Sequence, residues 1–378
     1  MAGGSQEGFI GNVHRMAASL DGQIELVCGA FSSDPSRSLE TGRSLYLPEN
    51  RIYSNFEEMI YQEKKLPDGE RMDFLAVVTP NNLHFLPSRL ALENGFHVFC
   101  EKPLAFSIQE AELLEDIVKK TGLVFGLMHN YTGYPMVKEA RELVRGGKIG
   151  KVRKIIVEYP QGWLSSKIEG GGQKQAGWRT NPALAGISCC VGDIGTHAEN
   201  LAEYISGLKI TELSADISTF IEGRLLDDDA TMLVRFDNGA KGVIIASQIA
   251  CGEENELKIR IYGEVGGIEW LQSEPNSLKI LSATEPIKIL RTGAGYTYLS
   301  DRTKAHTRLP GGHPEGYLEA MANLYRNFAY AIHAHNNTIK ENLELYDFPT
   351  ISDGTRGMKF IEAAIKSGKN NGQWEKLY

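Results

Sequence analysis

The first third of the chain alternates short apolar runs with amphipathic stretches. Four of the runs have the length and composition of buried strands, namely residues 24–31, 73–78, 97–100 and 123–128. The stretches between them carry apolar residues at helical spacing. Strands buried on both faces are nearly continuous apolar runs, and strands that alternate with helices build a doubly wound parallel sheet. We therefore predict an α/β domain with a parallel sheet over residues 1–130.

From about residue 151 the apolar runs follow one another with few helices between them. They cover residues 152–159, 213–219, 230–236, 240–248, 257–262 and 267–270. Asn238-Gly239 separates two of them, and this dipeptide between apolar runs indicates a β-hairpin. We predict an α+β domain over residues 131–378, built on a large, mostly antiparallel sheet with one open face. Such a face commonly packs on a second subunit, so we expect a homodimer or homotetramer formed through this sheet.

Composition limits the classes of protein and of partner. The chain has 378 residues, 42% of them hydrophobic and 23% charged, as is ordinary for a soluble globular protein. A net charge of −8 argues against a nucleic-acid or anionic membrane surface, so we expect a small-molecule partner. No apolar run is long enough to span a membrane. The five cysteines have no metal-ligand spacing, so we expect reduced thiols in a cytoplasmic protein and no metal.

The start of the chain is rich in glycine and leads into an amphipathic helix from Phe9. A glycine-rich turn at a helix start lets backbone N–H groups approach a pyrophosphate, although Ser5 replaces the second glycine of the usual pattern. Taken alone, the pattern fits a flexible leader as well as a phosphate-binding loop. The strand that should precede the loop is missing or truncated, since only Met1 and Ala2 are available. We favour a start of translation upstream, and we expect the Gly3–Gly8 loop to be poorly supported and the cofactor affinity to be low.

The end of the 24–31 run bears on the choice of cofactor. An acidic residue at this point binds the ribose of NAD, whereas an arginine nearby accommodates the 2′-phosphate of NADP. Here the run ends in Ser32 and Ser33, with Asp34 slightly late and Arg37 close by. This favours NADP(H) weakly. Alternatively, Asp34 and Pro35 simply start the next helix.

Polar residues follow the next two strands, where ligands of an open parallel sheet bind. The 73–78 run is followed by Thr79, Asn81 and His84, and the 97–100 run by Glu101 and Lys102. A lysine at this edge can be desolvated and can act as an acid or base. On these residues alone, a solvated charge pair is the simpler interpretation.

In the second half, Asp193 and His197 lie four residues apart in a helical stretch and so share one face of it. An acid and an imidazole on one face can flank a substrate hydroxyl. The alternative is an acid favoured by the helix dipole beside an incidental histidine. Aromatic residues in loops, such as Trp163 and Trp178, suit the faces of a sugar ring but are equally common in cores.

Together these residues resemble the glucose–fructose oxidoreductase/inositol dehydrogenase family, often called Gfo/Idh/MocA. The resemblance covers essentially the whole chain. It rests on the glycine-rich start, Thr79-Pro80-Asn81 with His84, Glu101-Lys102-Pro103, and Gly192-Asp193-Ile194-Gly195-Thr196-His197.

The resemblance implies an N-terminal Rossmann domain that binds NAD(P)(H), with a lean toward NADP(H) from Arg37, and a C-terminal α/β domain on an open sheet. It implies that Lys102, Asp193 and His197 are catalytic and that the Lys102–Pro103 bond is cis. The cofactor-binding candidates are Gly3, Ser5, Gly8, Phe9, Ile10, Ser32, Ser33, Arg37, Thr79, Asn81, His84, Glu101, Lys102 and Asn130. The substrate-contact candidates are Tyr131, Gln161, Trp163, Trp178, Arg179, His313 and Tyr317.

The implied activity is hydride transfer between nicotinamide and a carbinol carbon of a sugar or cyclic polyol. Two alternatives stay open: an NAD-dependent glycosidase of the same family, and a non-enzymatic regulator that binds the dinucleotide. The presence of Lys102, Asp193 and His197 favours catalysis, and the acidic composition argues against a regulator that binds DNA directly.

Overall fold

The computed structural model describes residues 1–337 and 343–377. The chain forms two compact units. The first consists of Met1–Asn130 and Met321–Thr355, and the second of Tyr131–Ala320 and Arg356–Tyr378. Within the described residues, no helix combines the length and apolar character needed to cross a lipid bilayer.

The helices and strands are given in chain order. The α-helices are α1 (Phe9–Ser19), α2 (Pro35–Ser44), α3 (Phe56–Glu63), α4 (Phe85–Glu93), α5 (Ile108–Thr121), α6 (Pro135–Arg145), α7 (Lys174–Arg179), α8 (Pro182–Ala185), α9 (Thr196–Ser206), α10 (Asp301–Ala305), α11 (Tyr317–Asn337) and α12 (Ile351–Lys369). The strands are β1 (Phe74–Val77), β2 (His97–Cys100), β3 (Phe125–Leu127), β4 (Lys154–Pro160), β5 (Ile210–Ser218), β6 (Asp229–Phe236), β7 (Lys241–Ser247), β8 (Lys258–Tyr262), β9 (Gly266–Leu271), β10 (Ser277–Ser282), β11 (Lys288–Arg291) and β12 (Glu375–Lys376). A π-helix, Val191–Gly195, leads directly into α9.

The first unit contains the predicted parallel sheet. Its strands lie in the order β1-β2-β3, and both pairs are parallel. Three of the four predicted strands are confirmed. The fourth, residues 24–31, is a strand only at Gly29 and Ala30, which form isolated parallel bridges. The reason is the lack of a long neighbouring strand, because on that side Ala30 pairs only with Ala2.

Ala2 holds the start of the chain inside this sheet. It forms parallel bridges with both Ala30 and Val77. Its N–H donates to the carbonyl of Ala76 at 2.8 Å, and the N–H of Gly3 donates to the carbonyl of Ala30 at 2.9 Å. The expectation that the glycine-rich loop would be poorly supported is therefore wrong, since the residues that lead into it are hydrogen-bonded on both sides.

A cavity of about 560 Å³ lies beside Met1 in the first unit. Residues 23–28 and 69–74 border it, together with Tyr325, Ile332 and other residues of α11. We call this space the N-terminal cavity. The α-amino group of Met1 is buried next to it and donates to the carbonyl of Cys28 at 2.9 Å.

Residues 321–355 belong to the first unit, although we expected them in the C-terminal domain. The aromatic ring of Phe328 on α11 packs edge-to-face against Phe99 of β2, with the ring centroids 4.9 Å apart. The N–H of Leu127 in β3 donates to the carbonyl of Pro349 at 2.8 Å. The chain therefore returns to the first sheet after it has built most of the second unit.

The second unit contains a nine-stranded sheet in the order β11-β10-β9-β8-β4-β7-β6-β5-β12. Only β4 and β7 are parallel neighbours, so the mostly antiparallel sheet is confirmed. The six predicted runs correspond to β4 through β9, whereas β10, β11 and β12 were not predicted. The Asn238-Gly239 hairpin joins β6 to β7, and Gly239 has the positive φ (89°) that such a turn requires.

Helices α6 and α9 pack against this sheet and cover one of its faces. Burial alternates along β6, where Met232 and Val234 are buried and Leu233 and Arg235 are exposed. Helix α9, which follows the π-helix directly, is buried along nearly its whole length.

Candidate functional site

The glycine-rich loop has the geometry of an anion-binding turn. Gly3 and Gly4 have φ values of +81° and +80°, which residues with a side chain rarely adopt. A Cβ atom on Gly11 would lie 2.3 Å from the Cα atom of Gly4, so α1 packs directly against the loop. The guanidinium of Arg15 donates to the carbonyl of Gly4 at 2.6 Å. Glycine backbone at a helix N-terminus suits a pyrophosphate.

The other predicted loop residues form the turn into α1. The N–H of Gly8 donates to the carbonyl of Ser5 at 2.9 Å, and Gly8 is the N-cap of the helix. The side chain of Phe9 is largely exposed, and Ile10 is half-buried.

The end of the second extended segment lies at the surface. Asp34 caps α2 by accepting hydrogen bonds from backbone N–H groups, so the prediction that these residues start a helix is confirmed. The exposed guanidinium of Arg37 lies 3.5 Å from the carboxylate of Glu7 and 3.6 Å from that of Asp34. Two neighbouring acids offset the charge that would attract a 2′-phosphate. Ser32 and Ser33 lie directly before this helix.

His84 joins the turn after β1 to the turn after β2. Its ring nitrogens lie 2.9 Å from the carbonyl oxygen of Thr79 and 2.8 Å from that of Pro103. Burial lowers the pKa of His84. Thr79 borders the glycine-rich loop, because a Cβ atom on Gly3 would lie 3.0 Å from its side-chain methyl. Asn81 is buried and begins a short 3₁₀ turn.

The Glu101-Lys102-Pro103 turn is partly buried, which contradicts a solvated charge pair. The Oε1 atom of Glu101 lies 2.7 Å from the Nε2 atom of His14, and Oε2 accepts the N–H of Lys102 at 3.0 Å. The Lys102–Pro103 bond is cis, as the resemblance implied. His14 was not among the predicted residues, although a histidine on the buried face of the first helix is a signal that could have indicated it.

β3 is followed by His129 and Asn130, both of which are buried. Burial, with a smaller effect from the charge of Lys102, lowers the pKa of His129 to about 3, so its ring is neutral near pH 7. The side-chain nitrogen of Asn130 is buried and has no hydrogen-bond partner among the residues that the structure describes. This orphaned donor and the tight glycine turn fit a bound dinucleotide.

The second unit carries Asp193 and His197 on adjoining helical segments. Asp193 lies in the π-helix, and His197 lies in the first turn of α9. We predicted one regular helix with both residues on one face, and the π-helical turn changes that register. Such turns within α-helices are rare and frequent at functional sites.

A buried carboxylate fixes the start of this π-helix. Asp227 accepts hydrogen bonds from the N–H groups of Cys189 and Val191, both at 2.8 Å, and from the hydroxyl of Ser188 at 3.0 Å. Burial raises the pKa of Asp227, and these hydrogen bonds partly offset that effect.

The carboxylate of Asp193 is held by two side chains. The amide of Gln248 donates to its Oδ2 atom at 2.8 Å, and the Nε atom of Arg179 lies 3.2 Å from the same oxygen. The guanidinium of Arg179 stacks 4.2 Å above the ring of Trp178 and lies 5.9 Å from the ring of Trp163. The structure thus places Arg179 at the carboxylate of Asp193 and the rings of Trp178 and Trp163 beside its guanidinium. Gln248 was not predicted.

A second polar cluster contains Tyr131, Tyr159, Gln161, Trp163 and Asn255. Asn255 Oδ1 accepts from the hydroxyl of Tyr159 at 2.8 Å and from the amide of Gln161 at 2.6 Å. Its amide nitrogen donates to Tyr131 at 3.0 Å, and the two tyrosine hydroxyls share a hydrogen bond. Gln161 in turn accepts from the indole of Trp163 at 3.0 Å. The cluster joins the predicted residues Tyr131, Gln161 and Trp163. Its other members, Tyr159 and Asn255, were not predicted.

His197 is buried against this cluster. Its ring lies edge-to-face with Tyr131, with the centroids 4.9 Å apart, and 6.4 Å from the ring of Tyr159. Burial, with smaller effects from Tyr131, Asp193 and Tyr317, raises the pKa of Tyr159. His313 is exposed, and the hydrogen bond of its ring goes to the carbonyl of Pro310 in its own loop. The structure therefore does not bring His313 into the cluster.

The predicted residues thus form one group in each unit. The cofactor candidates and Lys102 lie in the first unit, whereas Asp193, His197 and the substrate candidates lie in the second. In the first unit, the glycine-rich loop and the residues after β1, β2 and β3 can hold a dinucleotide. In the second, the carboxylate of Asp193 and the imidazole of His197 lie among neutral amides and aromatic rings. This arrangement suits a polyhydroxylated ring.

Comparison with known families agrees with this division. A profile described as an oxidoreductase family with an NAD-binding Rossmann fold matches residues 3–129, and the Gfo/Idh/MocA C-terminal domain matches residues 137–269. The chain is 34% identical over 377 residues to the uncharacterized oxidoreductase YfiI of Bacillus subtilis (strain 168), covering 99% of this chain and 95% of that protein.

Two solved structures from Azotobacter vinelandii are similar along the whole chain. An inositol dehydrogenase homologue complexed with NAD⁺ has 34% identity and a TM-score of 0.95, covering 100% of this chain and 96% of that chain. An inositol dehydrogenase homologue complexed with NADH and myo-inositol has 32% identity and a TM-score of 0.91, with the same coverage. The chain therefore belongs to the Gfo/Idh/MocA family of NAD-binding oxidoreductases.

Proposed function

We propose that this oxidoreductase is an NAD(H)-dependent dehydrogenase of a neutral sugar or cyclic polyol. The observation that carries the proposal is the polar wall of the second unit, where Asp193 and His197 stand among Trp163, Gln161 and Asn255. Amides and hydroxyls can exchange hydrogen bonds with ring hydroxyls, and an aromatic face can stack on ring C–H groups. The similar structure that contains NADH and myo-inositol supports this class of substrate.

In the proposed reaction, the carbinol carbon loses a hydride and its hydroxyl loses a proton. Bound NAD⁺ supplies the hydride acceptor at nicotinamide C4, and the protein supplies orientation and proton handling. Either His197 takes the hydroxyl proton while the ammonium of Lys102 polarises the substrate oxygen, or the neutral amine of Lys102 takes the proton itself. Asp193 orients the substrate or relays the proton, and Gln248 and Arg179 hold its carboxylate in place.

We infer a preference for NAD(H) over NADP(H). Arg37 is the residue that suggested NADP(H), yet its guanidinium is exposed and lies beside Glu7 and Asp34. The lean toward NADP(H) also finds no support in the similar structures, which contain NAD⁺ or NADH. A fluorescence titration of the protein with NADH and with NADPH tests this directly. Tighter binding of NADPH would refute the preference.

The activity itself is tested by Lys102→Ala. Removing a general acid or base typically lowers the rate by about 10²–10⁴. We expect that loss in NAD⁺ reduction with myo-inositol, or with another polyol found by screening, whereas the surface variant Lys120→Ala should match the wild type. Turnover near normal in Lys102→Ala would eliminate this role. Release of a chromogenic aglycone without net reduction of NAD⁺ would instead establish the glycosidase alternative, and NADH binding without any turnover would favour a regulator.

We also infer that the uncovered face of the nine-stranded sheet contacts a second copy of the chain. The outward row of β6 includes the exposed side chain of Leu233, and Ile289 on β11 is 54% exposed. Val243 of β7 pairs with Leu233 and is half-buried, and neighbouring apolar side chains on an open sheet face favour an interaction surface. Analytical ultracentrifugation tests the inference, and a monomer at micromolar concentration would refute it.

A further inference from the structure

We propose that His14 is a positioning residue that couples the glycine-rich loop to Lys102 through the carboxylate of Glu101. The proposal rests on the function proposed above, because it assigns how the cofactor loop and the reactive lysine are held relative to each other. All the residues involved belong to the first unit.

The structural basis is a buried hydrogen-bond network of the Glu101 carboxylate, the His14 imidazole and the Tyr325 phenol. His14 is 1% exposed, and its Nε2 atom lies 2.7 Å from Oε1 of Glu101. On the other side of the ring, Nδ1 lies 2.5 Å from the hydroxyl of Tyr325, which comes from α11. The ring of Tyr325 stacks on Phe99, with the centroids 4.6 Å apart, so the phenol is fixed in place.

The protons of this network can be assigned from the surroundings of Glu101 and Tyr325. Burial alone would raise the pKa of Glu101, but the hydrogen bond from His14 and the neighbouring charge of Lys102 outweigh it and lower the pKa. Burial raises the pKa of Tyr325, so the phenol keeps its proton. An ionised Glu101 accepts from Nε2–H of His14, and the hydroxyl of Tyr325 donates to Nδ1. Each polar atom of the imidazole then has one partner.

The position of His14 in the chain gives it two neighbours of functional interest. It lies on α1, the helix that packs against the loop through Gly4 and Gly11. Its partner Glu101 also accepts the N–H of Lys102 at 3.0 Å. A displacement of α1 is therefore transmitted through one hydrogen bond to the carboxylate and through a second to the backbone of the lysine.

The carboxylate of Glu101 carries the negative charge of this hydrogen-bond network. The titratable groups that face it or act on it are His14, Lys102, His84, His129, Cys100 and Tyr325. The side chain of His14 hydrogen-bonds this carboxylate directly. Replacing His14 with an apolar residue leaves the carboxylate buried without that donor, which favours its protonated form.

The decisive experiment measures the reactivity of Lys102 in the apoprotein, so it does not depend on the substrate. Each variant is treated with acetic anhydride from pH 6 to 9, and mass spectrometry compares acetylation of Lys102 with that of the surface residue Lys120. In His14→Leu, Glu101 takes up a proton more readily, so Lys102 loses part of the negative charge beside it. We expect acetylation to be faster by about 3–10-fold, the scale of losing one solvent-screened interaction between neighbouring charges.

Two further variants separate positioning from simple packing. His14→Gln keeps an N–H donor for Glu101 and should lie closer to the wild type than His14→Leu. In a Glu101→Gln background, His14→Leu should add little, because the effect of His14 passes through the carboxylate. The exposed residue His333 on α11 offers the matched control His333→Leu. If His14→Leu fails to fold, Tyr325→Phe, which removes the second partner of His14, gives the same comparison.

Steady-state kinetics provide the second readout. In His14→Leu we expect kcat to fall by about 10–100-fold, the range seen when a hydrogen-bond partner that orients a functional group is removed. The acid limb of the pH profile should move to higher pH, because Glu101 then takes up a proton more readily. A folded His14→Leu variant with the acetylation rate, kcat and acid limb of His333→Leu would overturn the proposal. Failure of the wild type to bind NADH would instead count against the proposed function, while the acetylation result would still decide the role of His14.

Discussion

Gly11→Ala is the sharpest test of the glycine-rich loop. The added Cβ atom would lie 2.3 Å from Cα of Gly4 and 3.0 Å from its carbonyl carbon and oxygen. Carbon atoms in contact prefer about 3.5–4.0 Å, so the loop or α1 must move by more than about 1 Å. Overpacking of this kind typically costs about 1–3 kcal/mol.

If the displaced segment is the phosphate-binding loop, this cost appears in cofactor binding. Because about 1.4 kcal/mol corresponds to tenfold in affinity, we expect the Kd for NADH to rise by roughly 5–150-fold. Gly8→Ala should have a smaller effect, since its Cβ atom would meet only the carbonyl of Ser5 at 3.3 Å. Gly170→Ala is the matched control, because no atom lies within 4 Å of its added Cβ.

The assay is NADH fluorescence titration, with thermal unfolding measured on the same samples. An NADH affinity of Gly11→Ala within twofold of that of Gly170→Ala would refute a role of this contact in cofactor binding. A lower melting temperature with unchanged NADH affinity would show that the tight contact is structural and that the dinucleotide binds elsewhere.

Three further predictions follow from the structure. Gln248→Leu removes the donor to Asp193, so kcat should fall by about tenfold while the Kd for NADH stays constant; a constant kcat would exclude an orienting role for Gln248. Burial lowers the pKa of His97 to about 4 and, together with Lys102, that of His129 to about 3, so the native state binds fewer protons than the unfolded state below pH 6.5. Each ring should therefore reduce the free energy of unfolding by up to about 1.4 kcal/mol per pH unit as the pH falls from 6.5 toward its native pKa, and His129→Gln should show a shallower acid loss in urea titrations. Lengthening the chain before Met1 by four residues of alternating valine and alanine should fill the N-terminal cavity and raise the melting temperature, whereas four serines should not; equal melting temperatures would show that the cavity does not accept a strand.

Local patterns determined much of this protein. The continuous apolar runs of β1, β2 and β3 and the alternating runs from β4 to β9 specified the two kinds of sheet, because burial of one or both faces of a strand leaves a period in the sequence. Asn238-Gly239 specified a hairpin because few residues adopt its backbone conformation. Glu101-Lys102-Pro103, followed about ninety residues later by Gly192-Asp193-Ile194-Gly195-Thr196-His197, indicated the family because this combination of motifs is specific.

Only the tertiary structure decided which side chains meet. His14 pairs with Glu101 across 87 positions and with Tyr325 across 311, and Gln248 reaches Asp193 across 55. The return of residues 321–355 to the first sheet and the π-helical turn at Asp193 were likewise absent from the sequence pattern. A periodic pattern reports only whether a residue is buried. The partner of a buried polar group depends on how distant elements pack, because such a group is stable only where another element supplies its hydrogen bond.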